Sequence, residues 1–266
     1  MRIEMILPQL ELHKISNTFE NMTHKHDNQY QLTIPMQGTC FFTHEHKPVT
    51  LSAGEGLILQ PRDSHSFHIE NGASVLIIRI KTLDSNNQSH RMPEEFRLRQ
   101  TFDIGKVADY YQQWASELLV PDRLDPMAVD ETESRILAGV EELLWGDSSR
   151  KTCRENQPGP DFHYSRVLEY IHAHYAEPIN VDTLASMAMQ SRYHFIRSFK
   201  SITGLSPYQY VLQRRVEEAK VQLKRTGKTV TEISFELGFA STSQFHRAFL
   251  KNVGMTPERY RNEMRI

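Results

Sequence analysis

The sequence is poor in cysteine: of its 266 residues only Cys40 and Cys153 carry a thiol. Neither has a spacing that suits a disulfide scaffold or a thiolate zinc site. It also lacks long apolar runs. Stretches such as Val75 to Ile78 fall far short of the ~20 residues that cross a bilayer, so no membrane partner is expected. Met1 to Pro8 hold no sustained apolar stretch followed by small residues, so no signal peptide is expected and a cytoplasmic protein is the default. Net charge is scarce too, with 31 Lys and Arg against 33 Asp and Glu, formally −2. What is present, 39% hydrophobic and 24% charged residues, suffices for a packed core and excludes a disordered or fibrous chain. The length allows two domains.

The near-neutral total hides an asymmetry. Residues 1–160 carry 16 basic and 23 acidic side chains, whereas residues 161–266 carry 15 basic and 10 acidic. An acidic first part joined to a basic second part makes nucleic acid a candidate partner for the second. The pattern of residues divides at the same place. Tyr30 to Ile34, Cys40 to Thr43, Gly56 to Leu59 and Ser74 to Lys81 are short β-rich runs separated by turn residues, which predicts a sandwich or barrel. Val107, Tyr110, Trp114 and Leu118, then Val129, Ile136, Val140 and Leu143, recur at helical spacing and predict helices at about 104–119 and 127–145. Their apolar stripes, which include Trp114 and Trp145, offer one face to the barrel and one to a second subunit. Residues 147–160, ending Pro158-Gly159-Pro160, have no period and read as a linker. The expected division is a domain of 1–146, a linker of 147–160 and a domain of 161–266.

The second part repeats itself. At an offset of 50, Ser191, Phe195, Arg197, Phe199, Gly204, Pro207 and Tyr210 recur as Ser241, Phe245, Arg247, Phe249, Gly254, Pro257 and Tyr260. The serines suit helix N-caps, with Gln244 three places after Ser241 as a capping box. The Phe pairs, four apart, share one helical face, and the glycines suit helix ends. A short helix precedes each copy, one after Asn180 and one after Thr229, which pairs with Glu232. Each unit is therefore a helix-turn-helix. With the Phe pairs in the core, Tyr193 and Arg197 lie on the opposite face of the first unit's second helix. Ser243, Gln244 and Arg247 lie there in the second. No acidic residue falls in 191–203 or 240–252. A helix fits the major groove, where Arg donates two hydrogen bonds to guanine.

Leu184-Ala185, Phe199-Lys200, Thr203-Gly204, Ser206-Pro207, Arg215, Ala219, Leu223, Ile233, Gly238-Phe239, Ser241, Gln244-Phe245, Arg247, Phe249, Gly254, Thr256-Pro257 and Tyr260-Arg261 together resemble the signature of the AraC/XylS transcription regulators. The resemblance implies a seven-helix module in which a long central helix, about 207–225, joins two recognition helices. It places base contacts on Tyr193, Ile196, Arg197, Thr242, Ser243 and Arg247. Ile196 departs from the polar residue of some relatives and offers only an apolar contact. Ser191, Arg192, His194, Lys200, Ser241, Gln244 and His246 become candidates for phosphate contacts, which position rather than specify.

In the first part, His24-Lys25-His26 before a strand, Gly54-Glu55-Gly56, and Pro61 followed by His65 resemble the two cupin motifs. Metal-binding cupins hold a divalent ion with three His and a Glu. Here Tyr30 or Gln31 stands in the place of the Glu. His24, His26 and His65 with Gln31 are the candidate ligands if a metal is bound, although no cofactor is expected. His44-Glu45-His46 also has ligand spacing but adjoins Lys47-Pro48 and reads as a hairpin loop. The pocket candidates are His24, His26, Tyr30, Phe42, His65, Phe67 and Arg79.

The expectation is an α+β, two-domain chain: a cupin-like β-barrel with two following helices, then a double helix-turn-helix. Its implied role is a sequence-specific DNA-binding regulator controlled by a small molecule in the barrel. It is expected to act as a homodimer, touching RNA polymerase if it activates. The alternative is a metal-dependent, dioxygenase-like cupin enzyme with a helical appendage. No nucleophile–base pair, phosphate-cradling glycine loop or paired carboxylate in the barrel part supports it.

Overall fold

The computed structural model describes residues 1–81, 98–118, 125–145 and 162–264. By contacts the chain forms two units, one of residues 1–118 and 136–149, the other of 119–135 and 150–266. The linker expected at 147–160 lies outside the described residues.

The first unit holds β1 (Arg2–Ile6), β2 (Leu10–Ser16), β3 (Phe19–Glu20), β4 (Gln29–Gln37), β5 (Thr39–His44), β6 (Lys47–Ser52), β7 (Glu55–Leu59), β8 (His65–Ile69), β9 (Ser74–Lys81) and β10 (Arg99–Thr101). Among the described residues these form two sheets rather than one closed barrel, in the orders β1-β2-β9-β4-β7-β10 and β3-β8-β5-β6. Strand alternation explains the packing. Ile15, Val75, Ile77, Leu57 and Leu59 of the larger sheet share one buried cluster with Cys40, Phe42, Leu51, Phe67 and Ile69 of the smaller. Each such side chain contributes about 1.5–3 kcal/mol. The residues between them, Leu10, Leu12, Leu76 and Ile78, are buried on the other face.

Helix α1 (Ile104–Leu118) lies on that outer side, where Lys14 Nζ sits 4.9 Å from the Tyr111 ring centre. Asp103 starts the helix by accepting from the Gly105 amide at 2.8 Å. The buried stripe of α1 is Val107, Tyr111, Trp114 and Leu118, at spacings of 4, 3 and 4. In α2 (Pro126–Trp145), Gly139 faces Trp114 so closely that a Cβ would stand 2.9 Å from the indole. Ile136, Leu137 and Val140 are buried beside it, so this stretch of the stripe expected to serve a second subunit is used within the chain. The side chain of Trp145 lies outside the described residues.

The second unit is helical: the first half of α2, then α3 (Phe162–His174), α4 (Val181–Met187), α5 (Arg192–Thr203), α6 (Pro207–Arg225), α7 (Val230–Glu236), α8 (Thr242–Val253) and α9 (Pro257–Met264). The expected division assigns residues 119–135 to the first domain, whereas by contacts they group here. Met127 supplies one reason, since it joins the apolar cluster of Tyr164, Val167, Ile171, Leu184, Phe195, Ile196 and Phe199. A second cluster of Val216, Ala219, Leu223, Ile233, Phe239, Phe245, Phe249 and Tyr260 builds the other helix-turn-helix.

The repeat is visible in the helix ends. Asn180, Ser191, Ser206, Thr229 and Ser241 all cap helices with their side chains, and Gly204 and Gly254 end α5 and α8 at φ of 77° and 81°. Thr229 and Glu232 form the expected capping box, as do Ser206 and Gln209. Gln244 departs from expectation: its side-chain oxygen accepts from the Ala240 amide at 2.7 Å, so the box at Ser241 is only half made.

Arg215 on α6 ties the two copies together. It is buried, donates to the carbonyls of Tyr175 at 2.6 Å and Glu177 at 3.1 Å, and lies 5.7 Å from the Phe239 ring centre. Gly238 has φ of 77°, and a Cβ there would stand 2.3 Å from the Ala176 carbonyl oxygen. Gly254 has a similar φ of 81° with nothing within 4 Å. Gly254→Ala should therefore lose about 1–2 kcal/mol, the cost of a left-handed alanine alone. Gly238→Ala should lose clearly more in urea unfolding of the full chain. Equal losses would mean that the turn at Ala176 yields without cost.

Candidate functional sites

The two second helices of the repeat, α5 and α8, present the expected faces only in part. On α5, Arg197, His194 and Lys200 are exposed. Tyr193 and Ile196 are each only 8% exposed. Tyr193 lies against Arg197, whose Nη1 donates to the phenol oxygen at 3.0 Å and whose guanidinium carbon sits 5.5 Å from the ring centre. Ile196 belongs to the cluster that contains Met127, so the base contact expected of it is not open in this conformation. Arg192, expected to meet phosphate, is held instead by carboxylates. Its Nε donates to Asp182 at 2.8 Å and its Nη2 to the same carboxylate, while Nη1 lies 2.9 Å from Asp130 and 3.7 Å from Glu133. Ser191 spends its hydroxyl on capping.

On α8, Ser243 and Arg247 are exposed and Thr242 is half-buried. His246 is half-buried, with Nε2 3.3 Å from Glu258. Gln244, also expected at phosphate, is 2% exposed, and its Nε2 donates to Asp125 at 3.0 Å and the Tyr208 hydroxyl at 2.8 Å. Arg197 and Arg247 thus keep the same phase on two equivalent helices, while Gln244 serves as an internal tie.

In the first unit the structure gathers His24, His26 and His65. His24 and His65 exchange backbone hydrogen bonds of 2.9 and 2.8 Å, and one ring nitrogen from each of the three lies within 4.8 Å of the others. The carbonyls of Met22 and Asp63 lie 2.8 and 3.0 Å from Nδ1 of His24 and His65. Those contacts favour the tautomer with the proton on Nδ1 and the lone pair on Nε2. Nε2 of His26 and of His65 is buried without a hydrogen-bond partner. Burial, aided by Arg79 and the neighbouring rings, pulls His26 down to about 4. Burial likewise takes His65 to about 4 despite the Asp63 carbonyl. Neutral imidazoles with orphaned lone pairs fit a divalent ion of the zinc, iron or nickel type. Such an ion would supply a Lewis-acidic point for an oxygen ligand. Gln31 does not complete the set, because its oxygen accepts from Arg79 Nε at 2.9 Å. His44, Glu45 and Asp63 also cluster. Glu45 and His46 turn the hairpin at positive φ, and the carboxylates already accept from the Ser64 and Gln60 amides.

A cavity of about 280 Å³ adjoins this cluster, with His24 in its wall. Arg2, His13, Asn21 and Arg79 supply the other polar groups, and Ile15, Phe19, Met22, Phe67 and Ile77 an apolar side. Of the pocket candidates, His24, Phe67 and Arg79 line it. Phe42 is core, stacked 6.0 Å from Phe67. Tyr30 alternates with Gln29 and Gln31 along β4 and so points to the other face. His26 and His65 belong to the cluster rather than the cavity wall. The residues that sequence reasoning missed, Arg2, His13, Ile15 and Phe19, lie on β1 to β3, which precede the first strand read from the sequence. The alternation in Leu10 to Ser16 was the available signal.

The polar groups are held by a part-buried network. Gln29 donates to Glu11 at 2.9 Å, and Arg79 Nη1 lies 3.4 Å from it. Burial pushes Glu11 up, but hydrogen bonds from Gln29, His13 and Arg79 outweigh it and hold the carboxyl below its usual range. In chelated protein, the two depressed imidazoles mean that the unfolded chain binds more protons between pH 6.5 and about 4. Stability should therefore fall as pH drops through that window. His65→Gln should flatten the profile. At pH 7, nickel or zinc added to chelator-stripped protein should raise the melting temperature, with the effect fading as pH falls below about 4. An unchanged melting temperature at neutral pH would remove the metal reading.

The helix-turn-helix domain family matches residues 184–263 and the AraC-like ligand binding domain family matches residues 10–82. The chain is 26% identical over 249 residues to the HTH-type transcriptional regulator YobQ of Bacillus subtilis, covering 93% of this chain and 92% of that protein. It is 31% identical over 98 residues to the regulatory protein SoxS of Salmonella typhimurium, covering 37% of this chain and 92% of that one. The DNA-binding domain of AdpA, solved with a target DNA, is similar at 32% identity and a TM-score of 0.36, covering 37% of this chain and 89% of that one. No helix among the described residues is long and apolar enough to cross a membrane. With both matches in this order, the chain belongs to the AraC family of DNA-binding transcription regulators and carries an N-terminal ligand-binding domain.

Proposed function

We propose that α5 and α8 read two successive major-groove segments and that a small-molecule effector in the cavity of the first domain controls this reading. The observation that carries the DNA half is the pair Arg197 and Arg247, exposed at one phase of two equivalent helices. Arg197, Ser243, Arg247 and Thr242 take the base edges. His194, Lys200 and the capped helix N-termini take phosphates. Tyr193 and Ile196 join them only in a conformation that uncovers their faces. The division into 1–146 and 161–266 with 147–160 as linker belongs to the same reading, with residues 119–135 grouped with the second unit by contacts.

The effector half rests on the cavity, whose mixed polar and apolar lining suits one small amphipathic molecule. To regulate, that molecule must bind the DNA-competent and incompetent states with different affinity. Homodimerisation and contact with RNA polymerase belong to the same reading, and a dimer would require repeated half-sites. The chain acts as a regulator rather than an enzyme. The metal-dependent oxygenase reading draws on the His24, His26 and His65 cluster, and stoichiometric iron with oxygen uptake would be its signature.

Selection from randomised duplex DNA by the full-length protein at ~150 mM salt, which suppresses non-specific binding, tests this function. Two enriched blocks about one helical turn apart are expected. Arg197→Ala and Arg247→Ala should each lose about 1–3 kcal/mol on the recovered site and relax the preference at one block. Equal affinity in both variants would take base reading away from these helices.

A further inference from the structure

The first half of α2 is docked on the DNA-reading unit through acidic side chains. Residues 126–135 bring Met127, Glu131, Glu133 and Ser134 into buried positions. Their partners are not scattered. Asp130 and Glu133 reach Arg192, the first residue of α5. Glu131 accepts from the Tyr208 amide at 2.5 Å, in the first turn of α6. Asp125, just before α2, accepts from Gln244 in the first turn of α8. First-turn groups of three helices, the side chains of Arg192 and Gln244 on the two recognition helices and the Tyr208 amide of α6, are thus engaged by one short acidic segment. Anions favour the first turns of helices, and DNA phosphates would compete for the Arg192 and Gln244 side chains. Met127 meanwhile enters the cluster that holds Ile196 on the α5 face.

We infer that residues 125–135 form an autoinhibitory latch, an internal anion that occupies Arg192 and Gln244 in the first turns of the recognition helices and must leave before α5 seats in the groove. The inference rests on the assignment of α5 to base reading. Arg192 faces three carboxylates at once, from Asp182, Asp130 and Glu133. A phosphate arriving at the α5 N-terminus meets an occupied guanidinium and surplus negative charge. Burial raises the Asp130 and Glu131 carboxyls above their usual range, so the docked acids carry a desolvation penalty that undocking relieves. Undocking also exposes Met127 to water, and the two effects oppose each other. The second half of α2, from Ile136, groups with the ligand-binding unit, so one continuous helix belongs to both.

The apparent affinity of a latched protein is reduced by the fraction that stands open. In the full-length chain, Asp130→Asn combined with Glu133→Gln keeps size and removes charge. It should bind the selected duplex about tenfold or more tightly than wild type without any effector. Hydrogen exchange on the wild-type chain gives a second measure that needs no variant, since amides of 126–135 should exchange faster when the selected duplex saturates the protein. Equal or weaker affinity in the variant, or exchange at 126–135 that stays the same or slows on DNA, would make the segment a brace and overturn the latch. If neither protein prefers the selected duplex over a scrambled one, the assignment of α5 to base reading falls, and the latch with it. If both prefer it with the same affinity, the latch alone falls.

Discussion

A buried guanidinium must find oxygen acceptors, and the geometry of the DNA-reading unit depends on how Arg215 finds them. Its acceptors are the carbonyls of Tyr175 and Glu177, in the turn before α4, and its flank is Phe239, in the turn before α8. One side chain on the central helix therefore pins a turn from each copy of the repeat. Burial lowers the Arg215 pKa from its ordinary value, so the interior exerts a real cost on this cation. Removing the charge would leave two turn carbonyls without their donor, and an unsatisfied buried polar group costs about 1–3 kcal/mol. The separation of Arg197 from Arg247 follows from that tie. Two helices that read successive grooves need a fixed offset, which hydrophobic packing alone holds less strictly than directional hydrogen bonds do.

The same rule organises the ligand-binding unit. Glu11, His13, Gln31 and Arg79 share one face of the larger sheet, because residues two apart along a strand lie on the same side and the register sets Glu11 and Gln31 both opposite Arg79. Each is bonded to another member, which lets a polar row exist beside Ile15 and Ile77. The cavity inherits its mixed lining from this row. The histidine cluster is the exception that gives the site its chemistry, since Nε2 of His26 and His65 is left without a partner. Buried imidazole nitrogens without a partner lower stability unless something returns a contact to them.

Much of this was legible in the sequence. The offset-50 repeat, the N-caps at Ser191 and Ser241, the glycine ends and the central helix at Pro207–Arg225 follow from local rules that tertiary context did not override. The three histidines of the cupin-like motif do meet, because His24 and His65 lie opposite each other in a bridge. What escaped was long-range. The absence of acidic residues in 191–203 and 240–252 suggests basic, open faces. Yet Asp130, Glu133 and Asp125 arrive from positions at least 59 residues away, which no local window contains. Helical phase places Tyr193 and Gln244 outward, and the family resemblance alone adds Ile196. Phase predicts direction but not what else packs there. Tyr30 points away for a different reason, since type was read without strand parity, while Phe42 shares the face of Phe67 and is spent on the core.

Ionic attachment suits a segment that must both hold and release. An apolar dock of the same size would be held by desolvation that salt and competing anions barely touch. The contacts of Arg192 with Asp130 and Asp182 lie at a part-exposed site, where charge pairs contribute modestly and respond to the ions around them. DNA is itself a dense array of anions, so the competitor that displaces Asp130 and Glu133 is the molecule the unit is built to bind. Coupling is then reciprocal: whatever favours the undocked segment favours DNA, and DNA favours whatever state of the ligand-binding unit tolerates undocking. An effector needs to shift that balance by only a few kcal/mol to change occupancy of an operator substantially.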